Sequence, residues 1–156
     1  MCMCIAEIKA SYTEVKKETS RIARKSFEKP VDSITENNID IFLDAINVIT
    51  KDLNSVTQST NELIKIVRNN FCDISKSEAE ELIKLSHQIL AKMRTVHDKL
   101  IASPLYRGMT TSVELYSDAM SDFEELCQDL KTFRIDMVQN EELQKTLQQL
   151  NEIVRE

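Results

Sequence analysis

Residues Ile39 to Val67 read IDIFLDAINVITKDLNSVTQSTNELIKIV. Within them Ile39, Phe42, Ile46, Ile49, Leu53, Val56, Thr60, Leu63 and Val67 follow one another at spacings of three and four. That alternation is a heptad seam, one face of a long α-helix. A strand would instead repeat every two residues.

The same spacing recurs outward in both directions. Towards the N-terminus it runs through Ile5, Ile8, Tyr12, Val15, Thr19, Ile22 and Ser26. Beyond the quoted stretch come Ala79, Leu82, Ser86, Ile89, Met93, Val96 and Leu100. A fourth series is Met109, Val113, Tyr116, Met120, Phe123, Cys127 and Leu130, continued by Arg134 and Met137. A weaker fifth is Leu143, Leu147, Leu150 and Val154.

The breaks between the series have helix-end chemistry. Pro30 disfavours helical geometry in the residue before it and ends the first helix. Ser33 with Glu36, and Ser75 with Glu78, have capping-box spacing, and Ile74 stands where a hydrophobic staple would. Ser103-Pro104 reads as an N-cap followed by proline at the first helical position. Gly108 falls in the first turns of the fourth helix or delays its start to Thr111. Asn140 is placed to cap a last helix.

The expected fold is therefore all-α. It is a single domain, residues 1–156, with helices at 3–28, 34–71, 76–102, 104–138 and 141–155. Short connections make neighbours antiparallel, giving an up-down-up-down four-helix bundle with a short C-terminal fifth helix. Facing pairs would be 5/60, 12/53 and 19/46 between helices one and two. They would be 60/86, 53/93 and 46/100 between two and three, and 86/123, 93/116 and 100/109 between three and four. In that register helix one leaves the layers of Leu63 and Val67 uncovered. Either the fifth helix folds back, with Leu126 and Phe133 receiving Leu147, Leu150 and Val154, or it is a free amphipathic tail.

Composition supports this class. One glycine and two prolines in 156 residues leave few tight turns for sheets. No apolar run approaches a transmembrane span, and MCMCIAEIKA lacks the long apolar stretch of a secretory signal. The net charge of −6 disfavours a nucleic-acid binder. The charge is uneven, with residues 1–30 basic and 111–156 acidic. Lys16, Lys17, Arg21, Arg24 and Lys25 make the first helix a basic amphipathic one. Lacking apolar bulk, that face is expected to be solvated or to meet the acidic end rather than a membrane. Cys2, Cys4, Cys72 and Cys127 lack the spacing of a disulfide framework, and cytoplasmic residence is the expectation.

Reactive constellations are sparse. Cys2-x-Cys4 without a second pair or nearby histidines is a weak metal signal, and His87 and His97 lie too far apart on one helix to share an ion. No Glu-x-x-His, glycine-rich phosphate loop or Gly-x-Ser-x-Gly elbow occurs. Glu78, Glu81, Glu124 and Glu125 outline the one arrangement that a divalent-metal hydrolase would use. Thr60, Ser86 and Phe123 share a layer and outline a small-ligand pocket, as in sensor bundles. Their hydroxyls are expected instead to bond the carbonyl one turn back. Approach of Cys2 to Cys127 would allow a redox link. Off-seam apolar residues Leu43, Ile64 and Phe71, with Ile83 and Leu90, widen the faces of the second and third helices and complete the core, or, where exposed, mark a protein-binding groove. The reading these features favour is a non-enzymatic protein-interaction module without cofactor. Its partner would be a protein or a second copy, at Leu126, Phe133, Leu143, Leu147, Leu150 and Val154. The alternatives are the ligand-sensing bundle and the metal hydrolase.

Overall fold

In a computed structural model, residues 5–155 are described. Four α-helices pack against one another: α1 Ile5–Ala23, α2 Ile39–Asn69, α3 Lys76–Ala102 and α4 Thr110–Arg155. Single 3-10 turns at Phe71–Asp73 and Tyr106–Gly108 join the last three. No strand occurs among the described residues. Most residues of the first four heptad series form one core, with Tyr12, Leu53, Leu63, Leu82, Met93, Leu100 and Phe123 all fully buried.

The helix ends correct the sequence reading in four places. The first helix stops at Ala23, well before Pro30. Lys25 N closes its last turn on Ile22 O at 3.0 Å, and Phe27 then turns inward and is buried. The Ser103 hydroxyl donates to Phe27 O, and Ser103 Oγ accepts from Leu105 N. Ser103 thus ties two chain corners together instead of capping a helix that begins at Pro104. The second helix starts at Ile39, not 34. Asn38 closes a competing turn, accepting from Thr35 N at 2.6 Å and donating to Ser33 O at 2.8 Å, so the Ser33/Glu36 box is not used. Ser75 does cap α3, accepting from Glu78 N at 3.2 Å, and Ile74 is buried beside it.

The fourth correction concerns the fifth helix. Residues 141–155 are not a separate element: α4 is continuous over 46 residues, about 69 Å long. Asn140 caps nothing. Asparagine inside a helix costs only a few tenths of a kcal/mol, and the Glu, Gln, Leu and Lys around it are good helix formers.

The neighbour order also differs. α1 packs on α2 and α3, and α4 packs on α2 and α3, so α2 and α3 are not the paired neighbours that 60/86 and 53/93 required. Across α1 and α3 the contacts rise together: Lys9 with Glu81, Lys16 with Gln88 at 3.2 Å, Ser20 with Lys92 at 2.8 Å. These two helices are parallel. Arg68 with Asp129, 2.8 Å, and Phe71 with Phe133, ring centroids 4.7 Å, likewise make α2 and α4 parallel. Arg94 with Glu124, 2.9 Å, and Lys76 with Glu141, 3.8 Å, run in opposite senses along α3 and α4, which are antiparallel. A heptad seam fits any of these neighbour orders, because it specifies the buried face and not which helix covers it.

The register of α1 is shifted too. Tyr12, not Ile5, occupies the layer of Ser86 and Phe123: its hydroxyl is 3.3 Å from Ser86 Oγ and its ring centroid 6.0 Å from that of Phe123. The shift is one heptad, about 10 Å. It follows from ending α1 at Ala23 and crossing back through residues 24–38. It also brings Ile8 into the core, where it is buried, covering the end that the sequence reading left bare.

Gly108 lies in the 3-10 turn with an ordinary φ. A Cβ there would stand 2.6 Å from Ile46 Cδ1, so close approach is what this position requires. Gly108→Ala is expected to lower stability by about 1 kcal/mol through overpacking. Ile46→Val removes that methyl group and should recover most of the loss. Urea melts of the two single variants and the double variant measure the coupling; additive losses would show that the turn relaxes without Ile46.

Candidate functional site

An α-helix turns about 100° per residue, so the apolar faces along α4 can be compared by angle. In the bundle it buries Val113, Tyr116, Ala119, Phe123, Leu126, Cys127 and Leu130. Leu143, Leu147, Leu150 and Val154 lie between about 200° and 260° round the axis from Leu130. They face away from the direction that meets the core. Every described residue from Gln139 onward is exposed. Leu143 is 56% exposed, Leu147 48%, Leu150 53% and Val154 83%. Ile153 flanks them, also exposed. At the start of this stretch Lys76 Nζ of α3 lies 3.8 Å from Glu141 Oε2.

The six residues singled out in sequence therefore separate into two sets. Leu126 is fully buried in the core. Phe133 is half-buried and holds Phe71 edge-to-face. The other four form a stripe on a helix that extends past the bundle. Leu147 stands about 32 Å along the axis from Leu126, so the fold-back arrangement is not adopted. Sequence spacing marked the stripe; the unbroken helix shows which way it faces.

On the same outer face, nearer the bundle, α4 is acidic. Glu114, Glu125, Asp136 and Leu147 follow at intervals of eleven residues, three turns to within about 20°. Asp118 and Asp129 lie beside them. One continuous outer face thus changes at Asn140 from acidic to apolar.

The Thr60, Ser86 and Phe123 layer is filled with side chains. Thr60 donates to Val56 O and Ser86 to Leu82 O, each at 2.7 Å, and Tyr12 occupies the space between. Burial pushes the Tyr12 hydroxyl up to about 12. Tyr116 is raised by the same cause; its hydroxyl donates to Met93 O at 2.9 Å. Burial also raises the Cys127 thiol, which disfavours the reactive thiolate. Cys2 and Cys4 lie outside the described residues, and with them the Cys2–Cys127 link. His97 stacks on Tyr116, with centroids 6.4 Å apart.

Of the four glutamates considered for metal chemistry, two are ion-paired, Glu81 with Lys9 and Glu124 with Arg94. Among the described residues no three His, Cys, Asp or Glu gather as a metal site. No helix among them is long and apolar enough to cross a membrane.

Of one further surface, sequence reasoning marked only Leu43. Ile34, Ile39, Ile41, Leu43 and Val48 are exposed near the start of α2. Ile34, Ile39, Phe42, Leu43 and Leu105 line a groove of about 380 Å³ there. The delayed start of α2 creates it, and the Asn38 turn was the signal available. Of the off-seam residues, Ile83 and Leu90 are buried, Ile64 and Phe71 half-buried, and only Leu43 is exposed.

Comparison with protein-family models, curated proteins and solved structures finds no match to this chain.

The two sets should respond differently to truncation. Leu126→Ala is expected to cost about 2–5 kcal/mol. Leu150→Ser should stay within about 0.5 kcal/mol, both measured by urea melts at sub-micromolar protein. A large loss for Leu150→Ser would mean that the stripe packs on its own bundle.

Proposed function

We propose that this chain is a non-enzymatic protein-interaction module, a four-helix bundle whose work is to hold out the C-terminal part of α4. The observation that carries the reading is the exposed stripe Leu143, Leu147, Leu150 and Val154 on a helix continuous with the bundle. Ordering a free helix in water is unfavourable when it is short. Here the first turns of α4 are fixed by the core, so the tail presents its stripe with part of that ordering cost already met. Exposed apolar residues gathered on one face mark a protein-binding surface more often than scattered ones do, and helices are commonly read by partners at this spacing.

The filled Thr60/Ser86 layer and the ion-paired glutamates fit this reading better than the sensor or the metal hydrolase. Unpaired Cys72 and Cys127 suit a reducing compartment such as the cytoplasm.

The test is retention on immobilised chain, comparing wild type with a Leu147→Glu/Leu150→Glu variant. The sample offered is a lysate of the native host supplemented with a differently tagged copy of the chain. The reading predicts at least one protein, or the tagged copy, that is held by wild type and lost from the variant. Identical retention by both would remove the tail as the docking face.

A further inference from the structure

We infer that the occupant of this stripe is a second copy of the chain, paired antiparallel, tail against tail. The inference rests on the proposed docking role of the tail and adds its partner and geometry.

The first argument is self-complementarity. Laid antiparallel with Leu147 against Leu150 of a second copy, the stripe also sets Leu143 against Val154. The two-fold axis repeats both contacts, so four consecutive layers are apolar on both sides. These matches are properties of the tail sequence paired with itself and need no foreign partner.

The second argument is the character of the flanks. Charged residues beside a helical seam normally choose its partner. Here the positions beside the stripe are Gln139, Gln144, Thr146, Asn151 and Ile153. None is charged, so nothing repels an identical chain and nothing selects an oppositely charged one.

The third argument fixes the direction. The outer face of α4 carries Glu114, Asp118, Glu125, Asp129 and Asp136 in line with the stripe, and only Asp129 has an ion-pair partner among the contacts above. A parallel pair would bring the two acidic faces together along the bundles, where like charges oppose association. An antiparallel pair carries them to opposite ends. A seam of four layers is short, and the dimer it makes is reversible rather than obligate.

The experiment uses the full chain with Cys2, Cys4 and Cys72 changed to serine and a spin label at Asp136→Cys; Cys127 is buried. Sedimentation equilibrium gives the association state and pulsed electron resonance the distance between labels. The expected result is a concentration-dependent dimer with labels about 38 Å apart along the axis, abolished by Leu147→Glu/Leu150→Glu while helix content is kept. A dimer with labels under about 20 Å apart is parallel and overturns the geometry. A dimer untouched by the double substitution pairs elsewhere and overturns the inference, as does a monomer at every concentration. A monomer that still retains another protein through its tail leaves the docking role standing and removes only the second copy. A monomer that retains none removes both.

Discussion

An α-helix has one fixed angular relation between all its side chains, and the 46 residues of α4 are bound by it. The bundle uses the direction of Phe123, Leu126 and Leu130, and those residues cannot be rotated without emptying the core. Anything apolar placed near the opposite angle is then forced outward for as long as the helix stays unbroken. No glycine or proline follows Gly108 in the chain, so nothing in the sequence breaks it. The exposed stripe is therefore a consequence of the core packing. Hydrophobic burial holds one end of the helix, and backbone hydrogen bonds transmit its orientation to the other.

The core that fixes this angle is well filled but not purely apolar. Tyr12 spans the layer between Ser86 and Phe123, and Tyr116 reaches back to Met93 O. Buried hydroxyls are costly without partners, and these have them. Thr19, Thr57, Thr60 and Ser86 satisfy theirs on the carbonyl one turn back, at 2.7–2.8 Å. Such bonds leave no polar group aimed into a cavity. The polar seam positions act as fillers that also help to set register, since only one alignment brings the Tyr12 hydroxyl to Ser86.

Much of this was legible in the spacing of apolar residues. The heptads at Phe42–Val67, Ala79–Leu100 and Val113–Leu130 named the core correctly, and Ser75 named its cap. Neighbour order was not legible, because a seam is silent about which helix covers it. The register of α1 failed for a different reason. Pro30 is a stop signal in the sequence, but inward-turning Phe27 and the Asn38 turn end and restart the helices elsewhere. The separate fifth helix rested on reading Asn140 as a cap, where the residues around it favour helix on both sides. The tail residues Leu143, Leu147, Leu150 and Val154 were visible as a series, whereas the direction they face required knowing that α4 does not break.

Amide hydrogen exchange resolved by segment, followed as protein concentration is raised, tests the account at its centre. The prediction is that amides 141–155 exchange fast when the chain is dilute and gain protection as it is concentrated, while those in the middle of α2 stay protected throughout. Equal, strong protection of 141–155 at every dilution would contradict it, because the stripe would then be covered by its own bundle. Fast exchange of that segment at every concentration would contradict it as well, since nothing would then be covering the stripe.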